Sequence, residues 1–159
     1  MRIDTAGASA LFAALITVAA CSPSEGDYAA ALERNWPAEQ MAQKGRASLF
    51  ADHATSFERS AERSADIARR LGTDNALSED ANRTAENARS EEKAAAYIAA
   101  AAFVRARDIS CAPASPLPGE NCEATVTIRG TDGEERDIVL ARRFDERDGQ
   151  IEVVGTVGN

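Results

Sequence analysis

Hydrophobic and polar residues follow two different periods along this chain. Over residues 27–107 the apolar positions, mostly alanine, recur three or four residues apart, as on one face of a helix. From about Arg105 onward apolar and polar residues alternate, as in a half-buried antiparallel strand. Helices followed by strands predict an α+β fold, in which an antiparallel helical hairpin packs on a three- to four-stranded antiparallel β-meander. We expect a single domain over 27–159, helical over 27–107 and β over 108–159.

The first part of the helical region is expected to be interrupted. Pro37 suits the first turn of a helix, so residues 27–35 are expected to form a short separate helix. A longer helix follows, and whether it breaks at Gly45 is left open. Gly72 is suited to end it in a left-handed cap. An apolar stripe on its second part predicts a packed face at Phe57, Ala61, Ala65, Ala68 and Leu71.

A further helix should begin near Asn75 or Ser78 and include the apolar run 94–104, which we expect to be the central core helix. This run is too short to cross a membrane. The segment 61–69 recurs in similar form at 81–89. The recurrence fits a diverged repeat or two amphipathic helices of similar composition, and we favour the second interpretation because repeat arrays need about three units.

The C-terminal region has the pattern of a meander. Turns are predicted at 131–133 and 148–149, with strands around Ile138 and Ile151 on either side of the second turn. The clearest strand buries alternate residues, at Cys122, Ala124, Val126 and Ile128. We expect residues 107–111 to pair with this strand, which would place Cys111 beside Cys122.

A short apolar segment, residues 8–20, precedes a cysteine at the N-terminus. The sequence Val18-Ala19-Ala20-Cys21 resembles the lipobox of bacterial lipoprotein precursors. The resemblance implies a signal peptide over 1–20, acylation of Cys21 and a tether over 21–26. It also implies localisation to the outer membrane, facing the periplasm of a Gram-negative cell, because Ser22 is not the aspartate that signals inner-membrane retention. An ordinary secretory signal and a buried N-terminal helix remain alternatives.

Two cysteines remain if Cys21 is acylated, and an even pair in an exported chain predicts a disulfide between Cys111 and Cys122. The loop between them holds three prolines and a glycine, so a cross-link could close a stiff, irregular segment. A redox or metal-binding pair is the alternative. The spacing is not Cys-x-x-Cys and no histidine lies nearby, so we favour the structural disulfide.

The chain is acidic, with a formal net charge of −8. The segment from Asp108 to Asn159 contains eleven acidic residues and only five arginines. Nucleic acid is therefore not expected as a partner, because phosphate binding needs clustered lysine and arginine. A solvated acidic surface is favoured over a site for a cation or a basic partner.

The sequence contains no recognisable catalytic motif, so we predict no enzyme, no catalytic residue, no cofactor and no metal site. His53 has no second histidine or cysteine at ligand spacing. The segment 145–149 resembles a calcium loop weakly, but Arg147 occupies a ligand position, so we interpret it as a turn. Arg142 and Arg143 are expected to form local ion pairs rather than to bind an anionic ligand.

These observations favour a non-enzymatic module, tethered to the membrane through Cys21, that binds another envelope protein or the cell wall. The alternative is a small-ligand carrier or sensor with its pocket near Tyr97, Phe103 and Phe144. A deep apolar cavity over the sheet would favour the carrier. A filled core with an exposed groove lined by alanine would favour the interaction module.

Overall fold

The computed structural model describes residues 23–157, which form two helices followed by a four-stranded antiparallel sheet. The predicted α+β class is therefore confirmed. The sheet is a meander, with its strands side by side in chain order. The elements are α1 (Glu25–Leu71), α2 (Ala76–Ala100), β1 (Ala102–Pro113), β2 (Glu120–Arg129), β3 (Glu135–Arg147) and β4 (Gln150–Thr156).

Helix α1 is continuous over 47 residues, so the prediction of a separate helix over 27–35 is wrong. Pro37 lies inside α1 with its ring exposed, and Gly45 lies within the helix as well. A proline inside a helix costs about 3 kcal/mol because it removes a backbone hydrogen bond and crowds the preceding turn. On the buried side of the same turns, Leu32 and Trp36 lie in the core. Burial of each such side chain contributes about 1.5–3 kcal/mol, which offsets the cost of the proline.

Helix α2 ends at Ala100, and the backbone continues directly into β1. The run 94–104 is therefore divided between a helix end and a strand, and the predictions of a central core helix there and of a helical region to residue 107 are wrong. Side chains of α1 fix the corner between them. Trp36 Nε1 donates to the carbonyl oxygen of Ala101 at 3.0 Å, and Gln40 Nε2 donates to the same oxygen at 2.9 Å.

The second half of α1 packs against α2 through alanine, and we call residues 47–71 with α2 the helix pair. Arg89 of α2 reaches back to Glu58 of α1 at 3.2 Å, next to this seam. Small side chains let the two backbones approach closely. The predicted face was partly wrong, since Phe57 and Leu71 are 39% and 70% exposed. The buried residues of the alanine seam are Ala54, Ala61 and Ala68 of α1 and Ala85, Ala88 and Ala95 of α2.

The main core lies between the first half of α1 and one face of the sheet. Tyr28 meets the ring of Phe144 edge-on at 5.2 Å, and Trp36 meets Phe103 at 5.8 Å. The alternate residues predicted as the buried face of β2 all lie in this core. Both predicted turns are present, the first with a positive φ at Gly133 and the second with positive φ at 148–149.

Candidate functional site

The described residues begin at Pro23, two positions after the cysteine predicted to be acylated. Cys21 and the predicted signal peptide over 1–20 lie outside the described residues. Ser24 precedes the first turn of α1, where its backbone nitrogen and hydroxyl donate to the Asp27 carboxylate at 2.7 and 2.8 Å. These two bonds, the backbone one first, lower the pKa of Asp27. Glu25 and Gly26, predicted as tether, belong to α1. A lipid on Cys21 would therefore lie only a few residues from the folded domain.

The end of the domain beside Ser24 has an acidic surface around a buried phenol. The Tyr28 hydroxyl donates to the Glu120 carboxylate beneath the first turn of α1. Burial, followed by the hydrogen bond to this carboxylate, raises the pKa of Tyr28 to about 12. A cavity of about 220 Å³ opens beside the pair and is bordered by Asp145 and Glu146. The lining of this cavity is therefore acidic, although Asp145 is paired with Arg147 and Glu120 accepts the hydrogen bond of Tyr28.

The two cysteines predicted to form a disulfide lie directly opposite each other on β1 and β2, at disulfide distance. Cys122 is buried and Cys111 is exposed at the sheet edge. The carboxylate of Glu120 lies within 4.8 Å of both sulfur atoms. A metal ion would need thiolates here, and a disulfide supplies none. As long as Cys111 and Cys122 are joined by the disulfide, these three residues form a structural cross-link and not a metal site.

A groove runs between the helix pair and β3. One part, of about 230 Å³, lies between Arg46 and Phe50 of α1, Ile98 of α2 and Leu140 of β3. A neighbouring part, of about 430 Å³, is lined by Lys93, Tyr97, Ile98, Arg136 and Ile138, among others. The groove thus combines apolar side chains with charged residues of both signs, since Glu91 and Asp137 line it together with Arg46, Lys93 and Arg136.

Tyr97 has an unusual environment in this groove. The guanidinium of Arg136 lies 4.3 Å from the centre of its ring, a cation–π contact. Its hydroxyl is buried and has no hydrogen-bond partner among the described residues. A Cβ on Gly130 would lie 2.3 Å from this hydroxyl, so close packing at the β2–β3 turn requires glycine.

The three residues expected to surround a carrier pocket are not gathered around one cavity. Tyr97 lines the groove beside β3, whereas Phe144 borders the cavity at the Tyr28 end. Phe103 packs against Trp36 in the core. The helix pair also lacks the expected exposed groove lined by alanine, because the alanines of its two helices are buried against each other.

A buried ion pair joins α1 to the sheet, and the sequence interpretation missed it. Arg142 Nε donates to a carboxylate oxygen of Glu39 at 3.0 Å, and Gln43 donates to the other oxygen at 2.8 Å. The side chains of Glu39 and Arg142 are 6% and 13% exposed. Arg142 thus pairs across the fold and not locally, as had been expected. The sequence does carry a signal for this pair. Glu39 and Gln43 follow Leu32 and Trp36 at helical spacing, so all four lie on the same buried face of α1.

The remaining predicted residues are isolated. His53 is exposed on α1 and belongs to no metal-ligating group within residues 23–157. Residues 145–149 form the end of β3 and the turn into β4, in agreement with the predicted turn.

Comparison with protein-family models, with curated proteins and with solved structures gave no match for this chain. Neither α1 nor α2 has a stretch both long and apolar enough to span a bilayer, as judged over residues 23–157.

Proposed function

We propose that this protein is a lipoprotein, anchored by Cys21 in the outer membrane and facing the periplasm, that acts as a non-enzymatic interaction module. Its partner is another component of the envelope, a protein or the cell wall. The lipobox-like sequence before Cys21 supports the anchor. An anchor at Cys21 would hold the domain close to the membrane, because α1 begins at Glu25.

The observation that carries the interaction role is the exposed apolar surface at the far end of the helix pair. Ile67 and Leu71 of α1 are 56% and 70% exposed, and Leu77 of α2 is 78% exposed. We propose that the helix pair is an antiparallel hairpin that presents these side chains to a partner. The core beneath the sheet is meanwhile filled by aromatic rings, which supports a binding surface rather than an internal ligand pocket.

The anchor is tested by Cys21→Ser in the full chain. We expect the variant to accumulate as an unprocessed precursor, because the processing enzymes of lipoproteins act on the acylated cysteine. The matched control is Ser22→Asp, which keeps the cysteine and should still be lipidated but move to the inner membrane. Mass spectrometry of the mature N-terminus and membrane fractionation are the measurements. Normal maturation of Cys21→Ser and its release in soluble form would contradict the anchor.

The interaction role is tested by photo-crosslinking in cells from position 77, at the end of the helix pair. Position 139, on the sheet and 64% exposed, is the control. Adducts with one envelope component from position 77 and none from position 139 are expected. Equal labelling from both positions would contradict a specific surface on the helix pair.

A small-ligand carrier remains the second candidate because of the groove beside β3, which Tyr97, Ile98 and Ile138 line. Purification under mild conditions followed by mass spectrometry decides between the candidates. A lipid or metabolite that co-purifies with the parent chain and is lost with Ala94→Trp, which would fill the groove, would favour the carrier.

A further inference from the structure

Three side chains of the kinds that bind metal ions meet where β1 pairs with β2, close to the first turn of α1. The sulfur atoms of Cys111 and Cys122 and a carboxylate oxygen of Glu120 all lie within 4.8 Å of one another. Within residues 23–157 this is the one group of three or more histidine, cysteine, aspartate or glutamate side chains that converges so closely. The group has the composition of a cation site whenever both sulfur atoms are thiolates.

The backbone, and not only the bond between the sulfur atoms, brings these side chains together. Cys111 and Cys122 are opposite each other in the ladder of β1 and β2, with their Cα atoms 4.0 Å apart, and the pairing continues on both sides of them. Glu120 is two residues before Cys122, so both side chains lie on the same face of β2. Reduction of the disulfide therefore leaves two thiols and a carboxylate side by side.

The ligand set suits a soft divalent cation. Thiolates favour Zn²⁺ over Mg²⁺ and Ca²⁺, which prefer oxygen ligands. Zn²⁺ binds cysteine sulfur at about 2.3 Å and carboxylate oxygen at about 2.0–2.2 Å, so two ligand atoms of a tetrahedral site are about 3.5–3.8 Å apart. Side-chain rotation alone has to bring atoms that already lie within 4.8 Å to this spacing. We propose that in the reduced protein Cys111, Cys122 and Glu120 bind one Zn²⁺ ion.

The disulfide and the zinc site are alternative states of the same residues. A thiol reductant supplies two electrons and two protons to the disulfide, is itself oxidised to a disulfide, and leaves two thiols on the protein. Zn²⁺ then displaces the two thiol protons, which pass to the solvent, and binds both sulfur atoms as thiolates. Reoxidation of the pair by a disulfide compound removes both sulfur ligands and releases the ion. The cross-link and the bound ion therefore exclude each other.

Tyr28 and the open sheet edge provide the surroundings that such a site needs. The Tyr28 hydroxyl donates to Oε2 of Glu120, and outer hydrogen bonds of this kind fix the orientation of a ligating carboxylate. The second carboxylate oxygen can bind the ion at the same time. Cys111 is exposed, and a cavity of about 220 Å³ borders Glu120, so the ion can arrive from the solvent. Three protein ligands leave the fourth position of Zn²⁺ to water.

The inference rests neither on the proposed interaction role nor on the lipid anchor. Its test is a titration of the purified full-length chain with Co²⁺, a coloured probe for Zn²⁺ sites, after reduction with a phosphine. Cys21→Ser is introduced throughout, so that only the thiols of Cys111 and Cys122 contribute. We expect one Co²⁺ per reduced chain, with the near-ultraviolet absorption band of cobalt bound to thiolate, and loss of this band when Zn²⁺ is added.

The oxidised protein is the first control and should show no such band. A reduced chain that circular dichroism shows to be folded, yet that gives no band, would overturn the proposal. A reduced chain that stays unfolded with or without Zn²⁺ would overturn it as well.

Glu120→Gln tests the third ligand, since it keeps both cysteines and an oxygen that accepts the Tyr28 hydrogen bond. We expect the affinity for Zn²⁺, measured by competition with a chelating dye, to fall at least about 10-fold, as it does when outer groups alone are changed. Glu123→Gln is the matched control, because it removes the same charge from an exposed position on the other face of β2. Equal affinities of the two variants would overturn the site, since net charge or an unfolded chain would then explain the binding.

Thermal unfolding provides an independent measurement. Zn²⁺ should raise the unfolding midpoint of the reduced protein, because a ligand that binds the folded state stabilises it. It should leave the midpoint of the oxidised protein unchanged, and Mg²⁺ should change neither. An equal shift of the reduced and oxidised proteins would overturn the proposal, because the disulfide has no thiolate to offer.

Discussion

Tyr28 connects the start of α1 to the sheet through both parts of its side chain. The ring packs edge-on against Phe144, and the hydroxyl donates to Glu120 at the start of β2. Deprotonation would place a phenolate in a buried site beside a carboxylate, which is unfavourable. Burial and this neighbour therefore raise the pKa of Tyr28 from 10.0 to about 12.

The raised pKa predicts a loss of stability in alkali. The unfolded chain loses the Tyr28 proton near pH 10, whereas the folded chain keeps it to about pH 12. The contribution to the free energy of unfolding is thus fully present below pH 10 and is lost as the pH rises through this interval. Tyr28→Phe should show a smaller fall over the same range. Urea unfolding of both proteins measures this, and an identical pH profile would contradict it.

An absorbance titration checks the assignment directly. The chain has two tyrosines, so in a Tyr97→Phe background the phenolate signal reports Tyr28 alone. We expect this signal to appear near pH 12 in the folded protein and near pH 10 in urea. A midpoint near pH 10 in the folded protein would show that the environment of Tyr28 is wrongly described.

Predictability from the sequence differs sharply among single residues. The alternate buried positions of β2 and the glycine of the β3–β4 turn follow from local patterns, and the structure confirms both. The pairing of Glu39 with Arg142 does not, because it joins residues 103 positions apart and depends on how α1 lies across β3. Such a contact requires the packing of two elements to be known first.

At the scale of elements, the errors all came from local signals that tertiary packing overrides. Pro37 and Gly45 disfavour a helix locally, yet α1 continues through both. The buried side chains that precede Gly45 pack against the sheet, and those that follow Gly45 pack against α2. The division of the run 94–104 has a similar cause, since Trp36 and Gln40 bind the Ala101 carbonyl and end α2 there. Neither contact is visible in the sequence of the element it affects.

The alanine seam predicts a strong dependence on side-chain size. Ala61 is 3% exposed where α1 meets α2, so Ala61→Leu must force the helices apart. Overpacking of this kind costs about 1–3 kcal/mol in the free energy of unfolding. Ala96→Leu, at an exposed position of α2, is the control and should change stability by less than about 0.5 kcal/mol. Chemical denaturation measures both, and equal stabilities would contradict close packing at the seam.

At the scale of the whole molecule, the pair Cys111–Cys122 ties the edge strand β1 to the centre of the sheet. We expect the double substitution Cys111→Ala/Cys122→Ala to lower the free energy of unfolding by about 2–4 kcal/mol, because the loop between β1 and β2 gains freedom in the unfolded chain. Ser110→Ala, at the exposed neighbouring position, is the control. Denaturation under non-reducing conditions is the measurement. Free thiols at Cys111 and Cys122 in unreduced, denatured protein would contradict the cross-link.

The order of elements was predictable because the change of hydrophobic period marks where helices give way to strands. The division of labour along α1 was not predictable, since the sequence does not show that one helix packs on the sheet with its first half and on α2 with its second.

Helix α1 supplies Trp36 to the core under the sheet and Ala61 to the seam with α2. One continuous helix, about 70 Å long at 1.5 Å per residue, holds these two places in a fixed rotational relation, although Pro37 between them lacks the N–H for one hydrogen bond of the backbone ladder. A substitution that turns the first half of α1 on the sheet should therefore also turn the face that its second half presents to α2.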